Sequence, residues 1–274
     1  MSKNCVIMQR MKENYERRSR SYLTRRTPII MRLDGKAFHT YTRGLEKPFD
    51  EGLIKDMVDT TKFLCENIQG AKMGYCQSDE ISLFITDYDD FSTQAWFGYE
   101  VQKMTSISAS LASAKFNQLR LYRDTLGKEI HIMDKDVVEY TTKHMTTAVS
   151  IGVQNLAFFD SRVFSIPKEE VVNYFLARQK DAVKNSISMM AQSLYSHNEL
   201  ERKNQSDLHE MIFQKGRNWN DLNYRKKRGC TVIKVEKEFT DGEGNPFTRG
   251  KWEEIETPMV FNTEFFDTYF QELL

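Results

Sequence analysis

The apolar positions fall into short blocks whose spacing predicts a mixed fold. The run Thr27-Pro28-Ile29-Ile30-Met31-Arg32-Leu33, opened by proline and halted at Asp34-Gly35, predicts a first strand. From Asp50 onward, Leu53, Ile54, Met57, Val58, Phe63, Leu64 and Ile68 recur near helical spacing and stop before Gly70, which predicts a helix with a glycine at its C-terminal end. Residues 72–76 and 81–85 then read as two strands flanking Gln77-Ser78-Asp79-Glu80, a polar four-residue connection suited to a hairpin. A Ser/Ala-rich helix is expected over 95–121, and extended chain over 149–164, interrupted at Asp160-Ser161. The order β-α-β-β-α-β is that of a ferredoxin-like split unit, in which strands one and three are neighbours in one antiparallel sheet.

Beyond this unit, residues 168–196 carry a long helical pattern with Pro167 at its start, and 205–214 a shorter one. A strand is expected at 230–235, before the turn-rich Asp241-Gly242-Glu243-Gly244-Asn245-Pro246. The fold class expected is α+β, an antiparallel palm-like sheet with helices on one face and a C-terminal helical and β extension. Residues 1–165 would form the catalytic region with a basic N-terminal segment, and 166–274 an extension packed on it as one compact body.

Composition narrows the function classes. The 274 residues carry 39 Lys+Arg against 39 Asp+Glu, so bulk charge does not bind this chain to polyanions, and a nucleic-acid partner must use local patches. One such patch is residues 9–26, where Arg10, Lys12, Arg17, Arg18, Arg20, Arg25 and Arg26 face only Glu13 and Glu16, with Tyr15 and Tyr22 interleaved. Its other reading is a solvated helix face. Arg225-Lys226-Lys227-Arg228 is a denser patch, suited to phosphate contact or to guarding a strand edge. No run approaches the roughly 18 apolar residues of a membrane span and the first residues lack a secretory core, so a cytoplasmic location is expected. The cysteines Cys5, Cys65, Cys76 and Cys230 form no CxxC pair and read as small core hydrophobes.

The candidate chemistry lies at two strand tips. Asp34 follows the end of strand one, and Asp79 sits 45 residues later in the hairpin feeding strand three, so a split β-α-β-β sheet can bring them together. With the unshielded carbonyl of Gly35 they make an all-oxygen donor set suited to Mg²⁺. Two such ions about 3.5–4 Å apart would serve a phosphoryl or nucleotidyl transfer. The alternative is an ordinary Asp-Gly turn and a solvated hairpin tip. Around the glycine, the backbone of Lys36-Ala37-Phe38-His39 offers an anion nest, with Lys36, His39 and the later Lys47 as cations. Asp50 is a ligand or the cap of helix one. Asp87-Tyr88-Asp89-Asp90 is read as strand end and cap, and His131 with Asp134 and Asp136 is given no function. Ile187, Met189, Met190 and Leu194 read as core or subunit contact.

Arg32-Leu33-Asp34-Gly35-Lys36-Ala37-Phe38-His39, Lys47-Pro48 and Gln77-Ser78-Asp79-Glu80 closely resemble the histidine-tRNA guanylyltransferase family. Phe159-Asp160-Ser161-Arg162-Val163, Arg178-Gln179-Lys180-Asp181 and Tyr224-Arg225 through Gly229-Cys230-Thr231-Val232 fall in the family's order, so the resemblance spans about residues 5–235. It implies a polymerase-like palm that adds nucleotides to the 5′ end of tRNA, in the 3′-to-5′ direction. In that family ATP activates the 5′-monophosphate and the 3′-hydroxyl of an incoming nucleotide attacks. Carried over by position, Asp34, Asp79 and the Gly35 carbonyl would bind two Mg²⁺. Ser78 and Glu80 flank them. Lys36, Ala37, Phe38, His39, Lys47 and Asp50 would hold the incoming triphosphate, and Arg32 and Lys103 the activating nucleotide. Arg162, Arg178, Asp181, Asn185, Arg225, Lys226, Lys227 and Arg228 are the RNA-contact candidates. ATP and GTP are the implied substrates, tRNA the partner, and a homotetramer the implied assembly.

One departure separates the chain from the eukaryotic members. After Arg178-Gln179-Lys180-Asp181 those carry a His-Ile-Asn-Asn run, whereas here the chain reads Val183-Lys184-Asn185-Ser186. The missing histidine fits the branch that repairs 5′-truncated tRNAs by templated addition, where base pairing selects the nucleotide. A nucleotide cyclase-like palm and a non-catalytic tRNA-binding module are the competing readings.

Overall fold

The computed structural model describes residues 3–126, 156–240, 242 and 245–271. Helix α1 (Lys3–Met11) leads into β1 (Ile29–Gly35), the one-turn α2 (Phe38–Tyr41), α3 (Glu51–Asn67), the hairpin β2 (Ala71–Gln77) and β3 (Glu80–Ile85), α4 (Val101–Leu126) and β4 (Phe159–Ser165). The extension follows as α5 (Lys168–Gln192), α6 (His197–Leu200), α7 (Gln205–Gln214), α8 (Tyr224–Arg228), β5 (Cys230–Thr240), β6 (Pro246–Ile255) and α9 (Thr263–Phe270).

Six strands among the described residues form one sheet in the order β4-β1-β3-β2-β5-β6, with every pair antiparallel. The first four positions are the split-unit order that the sequence predicts, with strands one and three adjacent. The extension does not merely lean on this unit. Its strand β5 hydrogen-bonds to β2, from Cys76–Cys230 to Met73–Ile233.

Both faces of the sheet are covered, which explains why Ile29-Ile30-Met31 is apolar without alternation. On one face Ile29, Met31, Leu33, Ile81, Leu83 and Ile85 pack with Met57, Val58 and Leu64 of α3 and with Met104, Ala112 and Phe116 of α4. On the other, Ile30, Phe84, Met73, Tyr75 and Ile233 meet Val171 and Phe175 of α5 and Phe266 and Phe270 of α9. A third cluster joins the end of α5, through Ile187, Met190 and Ala191, to Leu208 and Ile212 of α7. Val183 and Leu194 pack against it, whereas Met189 is exposed. Within the first face, Asp56 is fully buried and bridges α3 to α4 through Arg120 at 3.1 Å and Arg123 at 2.6 Å.

Several local expectations change. The β2–β3 connection is two residues long, because Gln77 and Glu80 already pair across the strands. Asp160-Ser161 lies inside β4 without interrupting it, held in register opposite Asp34 and Leu33. Strand β5 runs on to Thr240, since β6 pairs with it along its whole length. The Asp87–Asp90 run is used locally: Asp87 pairs with Arg25, Asp89 with Lys72, and Asp90 accepts from Ser92. His131, Asp134 and Asp136 lie outside the described residues. No described helix is long and apolar enough to cross a membrane.

Candidate active site

Two backbone hydrogen bonds build the site. The Gly35 amide donates to the Asp79 carbonyl at 3.0 Å, tying the end of β1 to the hairpin tip, and the Lys36 amide donates to Phe158 at 2.8 Å on the other side. Asp34 and Asp79 are thereby held at neighbouring tips. These two amides are spent on carbonyls, so an anion nest in this loop is left with the amides of residues 37–39. The geometry is costly locally: Ala37 (φ 54°), three residues after Asp34, and Ser78 (φ 50°), next to Asp79, are both left-handed without being glycines. Non-glycine residues in this region cost about 1–3 kcal/mol and concentrate where function demands them. Gly35 has a different constraint, since a Cβ there would lie 2.3 Å from the Phe38 ring. Phe38 is itself buried among Tyr41, Phe116 and Phe159, so it seats the loop on the core.

Cross-strand register adds a row of acids on the sheet face that carries α5. Asp160, Asp34 and Glu80 are successive neighbours across β4, β1 and β3, and Arg162, Arg32 and Ser82 form the next row. Glu80 is buried, forms an ion pair with Arg32 at 2.7 Å and accepts from Arg178 of α5 at 3.3 Å, both on Oε2. Its Oε1 and the Arg32 Nε are buried without a hydrogen-bond partner among the described residues. Arg178 also holds Asp181 at 2.7 Å, and Asn185 donates to the same carboxylate at 3.5 Å. Burial raises the Asp79 carboxyl above its usual range; the Ser78 hydroxyl at 3.0 Å opposes that and the Asp34 charge adds to it. Burial likewise raises Glu80, against the pull of Arg178 and Arg32.

Beside the tips opens a cavity of about 580 Å³. His39, Lys47, Asp50, Ser78, Asp79, Asn185, Arg225, Lys226 and Lys227 line it, and so do Arg43, Glu46, Gln77 and Gln192, which no sequence motif singles out as ligands. Asp50 is the N-cap of α3, accepting from Leu53 at 2.7 Å and from Glu46 at 3.3 Å, so both carboxylate oxygens are engaged. The basic patch is largely internal in its bonding. Arg225 grips Glu254 with two 2.8 Å bonds, Lys226 pairs with Glu51 at 2.6 Å, and Lys227 donates to the Asn220 carbonyl at 2.8 Å. Arg228 is turned inward, buried on the Thr257 carbonyl at 2.8 Å, and so departs from the expected RNA contact. Arg178, with only 17% of its side chain exposed, also serves the Glu80–Asp181 bridge before any RNA. Lys103 sits at the start of α4 beside Glu100, which bridges to Tyr22. That places it toward the Ile29 end of the sheet, away from the aspartates.

The description "Thg1: tRNAHis guanylyltransferase" matches residues 8–167, more than half of the chain. The chain belongs to the tRNA(His) guanylyltransferase family. Membership makes it a tRNA guanylyltransferase-like nucleotidyltransferase with the family's palm fold. Among solved structures it is 38% identical to a bacterial tRNA(His) guanylyltransferase (Thg1)-like protein in complex with ATP, with a TM-score of 0.75 over 97% of this chain and 98% of that one. The corresponding complex with GTP gives 37% identity and a TM-score of 0.72 over 98% of each chain. A tRNA(His) guanylyltransferase of Debaryomyces hansenii is 26% identical over 86% of this chain and 83% of its own length. The family match thus covers the split unit and the cavity loop, and ends just before α5 begins.

Proposed function

We propose that this member is a Mg²⁺-dependent 3′-to-5′ nucleotidyltransferase that restores 5′-truncated tRNA by templated addition, with ATP and GTP among its substrates. The observation that carries the reading is the Gly35–Asp79 backbone bond, which ties the residue after Asp34 to the Asp79 tip, and Asp79 lines a cavity of nucleotide size although Asp34 is not among its lining residues. The donor set fits magnesium: two carboxylates and a backbone carbonyl are hard oxygens, and burial of Asp79 beside the Asp34 charge leaves an acidic pair that a cation relieves. Among the described residues no three acidic, His or Cys side chains converge, so the nucleotide phosphates would supply further ligands. Bound there, Mg²⁺ would lower the charge on the reacting phosphates and favour ionisation of the attacking hydroxyl.

The chain's own groups do the positioning. Lys47 and His39 face the cavity as donors for a triphosphate, while Arg43, Lys226 and Lys227 add positive charge on its walls. In the first step the tRNA 5′-phosphate attacks the α-phosphorus of ATP, forming a phosphoanhydride and releasing pyrophosphate. In the second, the 3′-oxygen of the incoming nucleotide attacks the activated 5′-phosphorus and AMP leaves. The hydroxyl proton passes to water or to a nearby carboxylate.

Val183 supports templated repair over recognition of one tRNA. The residue standing where the eukaryotic motif has histidine is half-buried against the α5–α7 apolar cluster and has no polar group with which to read a base. The exposed Tyr15 and Tyr22 among the N-terminal arginines support a tRNA partner. The test is extension of a 5′-labelled tRNA lacking its first nucleotide, with Mg²⁺, ATP and all four nucleotides, by the protein and by Asp34→Ala and Asp79→Ala. Extension that stops at the completed acceptor stem, lost in both variants with tRNA binding retained, is the expected result. A cyclic nucleotide made without tRNA, or binding without extension, would overturn it.

A further inference from the structure

The outer part of the ribbon formed by β5 and β6 has no part in the site above, and the ribbon lies wholly outside the residues that the family match covers. Its inner rungs complete the sheet, but the rungs from Glu236–Gly250 to Thr240–Pro246 continue beyond the last pairing with β2 at Ile233. At about 3.3 Å per residue the chain past Val235 projects roughly 16 Å. Residues 236–240 and 246–249 are all exposed.

Alternation sorts its side chains. One face carries Val235–Lys251, Lys237–Arg249 and, outermost, Phe239–Phe247, while Glu236 and Glu238 point to the opposite face. The two outermost rings stack at 5.7 Å with 25° between their planes, 37% and 46% exposed. Solvent gains nothing from two phenylalanines held flat and open at the end of a ribbon. Beneath them, Lys237 and Lys251 share Glu253 at 2.8 and 2.9 Å, and Arg249 has no carboxylate partner among the described residues. Three cations against one shared acid leave this face positive.

We propose that this face is an RNA-binding arm that grips the tRNA substrate away from its 5′ end. A stacked aromatic pair with exposed rings presents a platform for an unpaired base, and the cation ladder below it follows a phosphate backbone. The position fits a contact far from the chemistry. β5 begins at Cys230, beside Cys76 near the catalytic hairpin, and runs away from it, so the arm's tip lies on the order of 30 Å from the aspartates. A tRNA is long enough to touch both. The inference rests on the proposed tRNA substrate.

The test compares a full-length 5′-truncated tRNA with a hairpin of its acceptor stem alone. Phe239→Ala/Phe247→Ala and Lys237→Gln/Arg249→Gln/Lys251→Gln should each weaken binding of the full-length tRNA about tenfold, leave the hairpin's affinity unchanged, and keep the thermal midpoint within a few degrees. The cation variant should also flatten the salt dependence of tRNA binding, by about one unit of slope for each phosphate it no longer neutralises. Glu236→Gln/Glu238→Gln on the opposite face is the control and should not weaken binding. If the unaltered protein extends tRNA and the ribbon variants bind it equally well, the arm is overturned while the substrate reading stands. If the unaltered protein binds neither RNA, the substrate reading fails and takes the arm with it. Light scattering that shows the variants losing self-association, with tRNA affinity intact, would assign the face to a second copy of the chain and overturn the proposal.

Discussion

The amide of Gly35 donates to the carbonyl of Asp79, so the residue after one candidate metal ligand is bonded to the backbone of the other. The spacing of the two carboxylates is therefore a backbone property. Gly35→Ala would put a methyl group 2.3 Å from the Phe38 ring, and the loop must shift to admit it. A loss of about 1–3 kcal/mol in unfolding free energy is expected. Nucleotide addition should fall further than stability does, because the shift separates the aspartates. Denaturant melts beside a single-turnover extension assay would measure both.

Arg178 and Arg32 both pair with Oε2 of buried Glu80, so removing one leaves the other to neutralise that charge. Arg178→Met should cost about 2–4 kcal/mol, less than exposing a wholly unpaired buried carboxylate would, and Glu80→Gln in the same background should recover part of it. If Arg178 served RNA alone, the single variant would weaken tRNA binding and leave the melt unchanged.

Asp56 has no solvent exposure and accepts from two arginines of α4. Asp56→Asn should destabilise by about 3–5 kcal/mol, since two guanidinium groups lose their counter-charge inside the α3–α4 interface. Chemical denaturation checks it, and the midpoint should fall without a change of slope.

Lys237 and Lys251 hold the Glu253 carboxyl down to about 2, below its ordinary range. A depressed carboxyl contributes stability that is present above about pH 4.5 and lost as the pH falls through about 2. The contribution is expected to be under about 1 kcal/mol for so accessible a cluster. Glu253→Gln should remove it, so the stability difference between the two proteins shrinks on acidification across that window. Amide exchange in β5 and β6 as a function of pH would read it locally.

Much of this arrangement is legible in the sequence. Strand one stops within a residue of Asp34 because Asp-Gly breaks an apolar run, and Asp50 reads as a cap because it precedes the first apolar repeat of α3. What escapes depends on partners distant in the chain. Asp160-Ser161 looks like a turn in isolation, yet β1 holds it straight. Arg228 looks like a surface cation beside three others, yet a carbonyl in the segment after β6 draws it inside. The stacked pair at the ribbon's end is invisible for the same reason, since seven residues separate Phe239 from Phe247 and only the register brings them together.

The insertion of β5 beside β2 also sets the order in which the molecule can be completed. During synthesis the first four strands emerge long before residue 230, and until then β2 presents an open edge of unpaired amides and carbonyls. A nascent chain in that interval carries an assembled catalytic hairpin beside an unsealed border. The segment from Cys230 onward acts as the closure, so a ribosome that stops before it releases a product inclined to pair with its neighbours.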